Sequence, residues 1–108
     1  MTVKTLANKL NAKELNLADP NREVERIYAG DLLSHVMGNA PSNCVWFTVM
    51  TNVNICAVAT LTDCSVIVVC EGCIPDQLTL ERAKTQGINI LSTVLTISEA
   101  IVRVHNAG

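Results

Sequence analysis

From Gly30 onward the chain repeats one pattern three times: an apolar run, a short polar cluster, then a segment with helical spacing. Cys44 to Met50 is followed by Thr51-Asn52-Val53-Asn54, Val66 to Cys70 by Glu71-Gly72, and Ile88 to Leu91 by Ser92-Thr93. Strands alternating with helices imply a parallel sheet joined by right-handed crossovers. In such sheets ligands dock at the carboxyl ends of the strands, where loops and helix N-termini converge. The repeated punctuation therefore predicts a location for a site before it predicts a chemistry.

Each element carries its own signals. Val3, Leu6, Ala7 and Leu10 recur at helical spacing behind Thr2, a capping residue, and predict a short amphipathic opening helix. Leu15 and Leu17 alternate with polar neighbours as a half-buried edge strand does, and Asp19-Pro20-Asn21 turns the chain. Val24 to Tyr28 forms the next strand, broken by Gly30. Asp31 is placed to cap a helix carrying Leu32, Leu33, Val36 and Met37, which Gly38-Asn39-Ala40-Pro41 stops.

Cys44 to Met50 is rich in β-branched and aromatic residues, and Asn54 stands as N-cap for Ile55 to Leu61. That helix is apolar nearly all round, which calls for deep burial or an interface. Val66 to Cys70 does not alternate, as expected of a central strand covered on both faces. Pro75 and Asp76 open a helix through Gln86, closed by Gly87. Thr96 and Glu99 form a T-x-x-E capping box ahead of the stripe Ile97, Ile101, Val104. The expected fold class is α/β: a mostly parallel sheet of about four to five strands with helices on both faces. The whole chain, 1–108, reads as one domain.

Composition narrows the function classes. A net charge of −2 gives no basic field, and one Trp, one Tyr and one Phe offer few surfaces for stacking bases, so nucleic-acid binding is set aside. No apolar stretch approaches the roughly 20 residues of a membrane span. The first residues open a helical pattern instead of a secretory leader. A cytoplasmic protein is expected. Apolar residues make up 49% and charged residues 17% of the chain, a greasy balance that a second copy would help to cover, so a homodimer is expected.

Five cysteines lie in apolar runs, as reduced thiols do. Cys70 and Cys73 form a C-x-x-C with Cys64 nearby, which would suit a metal or redox site. Cys70 ends a strand and Cys73 sits in a loop, so the two can point apart, and structural thiols are the commoner outcome. His35 follows Asp31 at i+4, within reach of its carboxylate, and His105 lies where a helix C-terminus favours a cation. No nucleophile and base pattern singles out a catalytic residue, and no phosphate-binding G-x-x-x-x-G-K-[ST] loop occurs. No cofactor and no metal are expected.

The candidate site consists of Asp31, Thr51, Asn52, Asn54, Glu71, Gly72 and Thr93, all at junctions from strand to helix. Singly, Asp31 and Asn54 are read best as helix caps; together, the set lines a small polar pocket, with Gly72 allowing close backbone approach. No Lys or Arg lies in these clusters, which weakens a phosphate reading.

Tyr28-Ala29-Gly30-Asp31-Leu32-Leu33-Ser34, Thr51-Asn52-Val53-Asn54-Ile55-Cys56-Ala57-Val58-Ala59 and Val66-Ile67-Val68-Val69-Cys70-Glu71-Gly72 with Pro75-Asp76 together resemble the DRTGG domain. The likeness runs from about Val3 to the C-terminus. In that family the domain is an α/β module accompanying CBS pairs, phosphotransacetylase or hydrogenase-linked genes, with relatives grouped with the N-terminal part of HPr kinase. The resemblance implies a regulatory, ligand-sensing dimer and not a catalyst. The family's Asp-Arg would fall near Thr51-Asn52 and its Thr-Gly-Gly near Cys70-Glu71-Gly72, where only the last glycine is kept. Without the arginine the bidentate partner for a phosphate or carboxylate is gone.

Three readings follow. The first is a homodimeric regulatory module binding a small polar, nucleotide-like ligand at the strand ends and signalling to a protein partner. The second is an interaction scaffold without ligand, built on the apolar helix at Ile55 to Leu61. The third is a component of a phosphotransfer or redox system, resting on the relatives and on Cys70 and Cys73.

Overall fold

The computed structural model describes residues 1–107; Gly108, the last residue of the expected domain, lies outside them. The elements run α1 (Val3–Leu10), β1 (Lys13–Asn16), β2 (Arg26–Ala29), α2 (Leu33–Asn39), β3 (Cys44–Thr48), α3 (Asn54–Thr62), β4 (Val66–Val69), α4 (Gln77–Gln86), β5 (Ile90–Ser92) and α5 (Ile97–Ala107). The five strands form one sheet in the order β1-β5-β4-β3-β2, parallel except for β1, which runs antiparallel to β5. The run expected to be central, Val66 to Cys70, does supply the middle strand, and its four β4 residues are fully buried.

Handedness explains the layers. Each step from β2 to β5 moves one strand in the same direction, so right-handed crossovers carry α2, α3 and α4 to one face. There Val36, Ile55, Val58, Ala59 and Ala83 pack with Trp46, Ile67, Val69 and Ile90. The opposite face is closed by α1 and α5, whose Val3, Leu6, Leu10, Ala100 and Val104 meet Val45, Phe47, Val66, Val68 and Leu91. Covered on both sides, β3, β4 and β5 need no polar residues and show no alternation, whereas the edge strands β1 and β2 stay partly exposed. The apolar helix α3 is accordingly buried along Ile55, Cys56, Val58, Ala59 and Thr62, flanked by α2 and α4.

Local signals fix most helix ends. The Thr2 hydroxyl accepts from Thr5 N at 3.2 Å, and the Asp76 carboxylate accepts from Thr79 N at 2.8 Å. The Thr96–Glu99 capping box closes in both directions, at 3.0 and 3.1 Å. Gly87 ends α4 at φ +69°, a left-handed conformation glycine adopts without steric cost. Two expected caps are corrected. Val53 holds the N-cap position of α3, with Asn54 inside the helix, and Leu32 holds that of α2 without any side-chain bond. Asp31 is drawn elsewhere, as described next.

Candidate site at the ends of the parallel strands

The crossovers also set where the strand-end loops diverge. β4 leads into α4 on one face, while its neighbour β5 leads into α5 on the other. Loops leaving adjacent strands toward opposite faces open a crevice, the switch point at which α/β sheets bind ligands. A cleft of about 330 Å³ lies there, lined by Gly72 and Ile74 after β4, Ser92, Thr93 and Val94 at the end of β5, and Asn11 and Lys13 at the start of β1.

The two loops are tied together by backbone. Glu71 N donates to Leu95 O at 2.8 Å and Gly72 N to Thr93 O at 2.9 Å, so these amides are engaged within the fold. Cys73 N donates to Cys70 O at 3.2 Å across Glu71 at φ +61° and Gly72 at φ +73°, the pattern of a type I′ turn. Gly72 suits it; Glu71 pays a steric penalty of about 1 kcal/mol for its Cβ. A Cβ built on Gly72 would meet nothing within 4 Å, so this stretch of backbone faces open space.

On the other side of this turn, Asp31 receives the Thr48 hydroxyl at 2.6 Å and Val49 N at 2.9 Å on a single carboxylate oxygen. The parallel register, with Ala29 beside Phe47, brings the residues after β2 alongside the end of β3. Asp31 thus clamps two strand ends and is not a helix cap. It also makes no ion pair with His35 among the described residues, and both side chains are exposed. Asp31 and Glu71 flank the thiol of Cys70: burial mainly, then Glu71, Asp31 and Cys73, push it up to about 11.

Thr51, Asn52 and Asn54 form a neighbouring group. The Asn52 side chain accepts from Asn54 N at 3.0 Å, doing the work assigned to Asn54 from sequence. The Thr79 hydroxyl donates to Thr51 O at 3.0 Å and ties this loop to α4. Of the expected set, then, Gly72 and Thr93 line the cleft, Asp31 and Glu71 lie around Cys70, Thr51 is tied to α4, and Asn52 and Asn54 sit at the start of α3.

Sequence reading missed Lys13. The polar clusters contain no cation, but antiparallel pairing sets Lys13 opposite Ser92 and so supplies one from another element. The signal available was only the alternation of a possible edge strand, which does not encode direction.

Other hollows lie away from the ends of the parallel strands. One of about 660 Å³ runs along the outer side of α5 and takes Ser98, Glu99, Val102, Arg103 and Asn106 from that one helix. A polar cavity of about 190 Å³ lies at the opposite end of the sheet. Its groups bond to one another: Arg22 donates to Asn43 Oδ1, Asp63 O and Asp63 Oδ1 at 2.8–3.0 Å, and Asn89 donates to Asp19 O and Ser65 O.

All five cysteines are free thiols. Cys70 packs on the α1 and α5 face and Cys73 on the other, so the C-x-x-C side chains diverge. Burial pushes Cys44 up to about 11 and Cys64 up to about 12, and raises Cys56. Among the described residues no group of three or more His, Cys, Asp and Glu is placed to hold a metal ion, and no helix is long and apolar enough to cross a membrane.

The architecture is a three-layer α/β domain with a crevice where the β4 and β5 loops diverge. The chain is similar in fold to a crystal structure of the CBS and DRTGG domains of the regulatory region of Clostridium perfringens pyrophosphatase, complexed with its activator diadenosine tetraphosphate. The TM-score is 0.79 at 15% identity, and the match covers 95% of this chain and 45% of the other, so the chain spans less than half of that protein's length. The DRTGG-like α/β fold expected from the residues is therefore the fold observed. No family model and no curated protein matches the chain.

Proposed function

We propose that the chain is a non-catalytic, cytoplasmic regulatory module that binds a small polar, nucleotide-like ligand at the strand ends and acts as a homodimer. The observation that carries this reading is the cleft at the switch point between β4 and β5, where residues from three separate elements meet. The pyrophosphatase region of the same fold is regulatory and was crystallised with a nucleotide activator, which supports a sensing role. The expected site set is kept in two parts: Gly72 and Thr93 contact ligand, while Asp31, Glu71, Thr51, Asn52 and Asn54 shape the surrounding loops. Dimer formation is supported by the free edge of β2, with Ile27 exposed on it, and by exposed Leu32 and Met37 nearby in sequence.

Calorimetry and thermal shift with adenine nucleotides and a panel of common metabolites test the ligand. Binding at micromolar Kd with a rise in Tm is expected. Silence across the panel would remove the ligand and leave the second reading, an interaction scaffold. Exposed Leu61 on α3 and Leu78 on α4 favour that alternative. Sedimentation velocity tests the dimer, with a monomer at all concentrations as the contrary result.

A further inference from the structure

Resting on the strand-end reading above, we propose that the cleft between β4 and β5 is selective for an anionic ligand bearing an apolar ring, and that Lys13 is the residue that binds the anion. Three observations converge. Lys13 is exposed at the cleft, set opposite Ser92 by the antiparallel pairing of β1 with β5, and makes no ion pair among the described residues. A cation held at a cleft without a protein carboxylate is available for a phosphate or carboxylate.

Ser92 supplies the second. It is 5% exposed, yet its hydroxyl has no hydrogen-bond partner among the described residues, while no fully buried side-chain nitrogen or oxygen is left unpaired. The hydroxyl therefore keeps its access through the cleft that Ser92 lines. A nearly buried donor in that position offers a hydrogen bond to an oxygen of the same anion. The Thr93 hydroxyl beside it accepts from Leu95 N at 3.2 Å and retains a hydrogen to donate.

The third is apolar. Val94 is 84% and Ile74 54% exposed, and both line the cleft. They come from the two diverging loops, so a ring lodged between them covers aliphatic surface that the fold leaves wet. A cation, hydroxyl donors and an aliphatic pair within about 330 Å³ suit a mononucleotide-sized anion better than a sugar or a bare ion.

Amide NMR titration of the full chain with ATP, adenosine and inorganic pyrophosphate tests the proposal. ATP is expected to shift the amides of Lys13, Gly72, Ser92, Thr93 and Val94. Lys13→Ala should raise the ATP Kd at least tenfold, Lys13→Arg should stay within about threefold, and Val94→Ser should weaken ATP and adenosine but not pyrophosphate. Because Lys13 is exposed, Tm should be unchanged in its variants. If ATP binds equally to wild type and Lys13→Glu, or shifts only Thr51, Asn52 and Asn54, the anion-selective cleft is wrong while strand-end binding survives. If all three probes leave every amide unmoved, anion binding is excluded. A neutral metabolite that still shifts the strand-end amides then keeps the broader reading, and a silent neutral panel ends both.

Discussion

Removing the Asp31 carboxylate tests whether this residue joins two strands or caps a helix. Asp31→Ala deletes the acceptor for the Thr48 hydroxyl at 2.6 Å and for Val49 N at 2.9 Å. A hydrogen bond to a charged acceptor contributes about 1.5–3 kcal/mol when shielded, and the exposure of Asp31 puts each bond at or below the lower end. Thr48 is fully buried, and its hydroxyl keeps only its acceptor contact with Met50 N once the aspartate is gone. Together the two losses amount to about 2–3 kcal/mol. For a domain of this size that lowers Tm by roughly 10–20 °C. Urea denaturation gives the free energy, and amide hydrogen exchange locates it. The Val49 amide should lose protection while those of His35 and Val36, both bonded to Leu32 O, keep theirs. A loss under about 0.5 kcal/mol would refute the clamp, and deprotection confined to the first turn of α2 would mean that Asp31 acts as a cap after all.

Three further outcomes are expected. Glu71→Asn should stabilise the domain by about 0.5–1 kcal/mol in urea denaturation, since asparagine tolerates the left-handed φ of the first central turn position better than glutamate; no gain would argue against strain there. Asp76 and Glu99 both have pKa values lowered by hydrogen bonds from Thr79 and Thr96, from ordinary values of 3.8 and 4.5. Their stabilisation is complete above those ordinary values and is lost as pH falls through the lowered ones, so the acid limb of a stability profile should flatten in Asp76→Ser combined with Glu99→Gln, which keep the caps but cannot titrate. With Cys44, Cys56, Cys64 and Cys70 buried and Cys73 half-buried, an aromatic disulfide reagent should titrate one thiol in the native protein, none in Cys73→Ser, and five in urea; rapid native labelling of a second thiol would show that the core opens.

The sequence by itself determined what depends on neighbours within a few residues. The Thr2, Asp76 and Thr96 caps, the Gly87 stop and the unbroken apolar run of β4 are local devices, and each occupies its expected place. The same locality misled at Asp31 and Asn54, whose cap-like positions say nothing of competitors: Thr48 and Val49 lie 17 and 18 residues away along the chain, and reach Asp31 only through the register of β2 on β3.

The site was legible as a place but not as a composition. Polar clusters at the ends of apolar runs located Gly72 and Thr93 at the strand ends, whereas Lys13 joins them because β1 adds to the sheet antiparallel beside β5, about eighty residues later in the chain. Strand direction and sheet order follow from long-range pairing and from packing helices on both faces, energies that no short window contains. For that reason the tertiary structure alone decided which loops diverge, where the cleft opens and which charge stands in it.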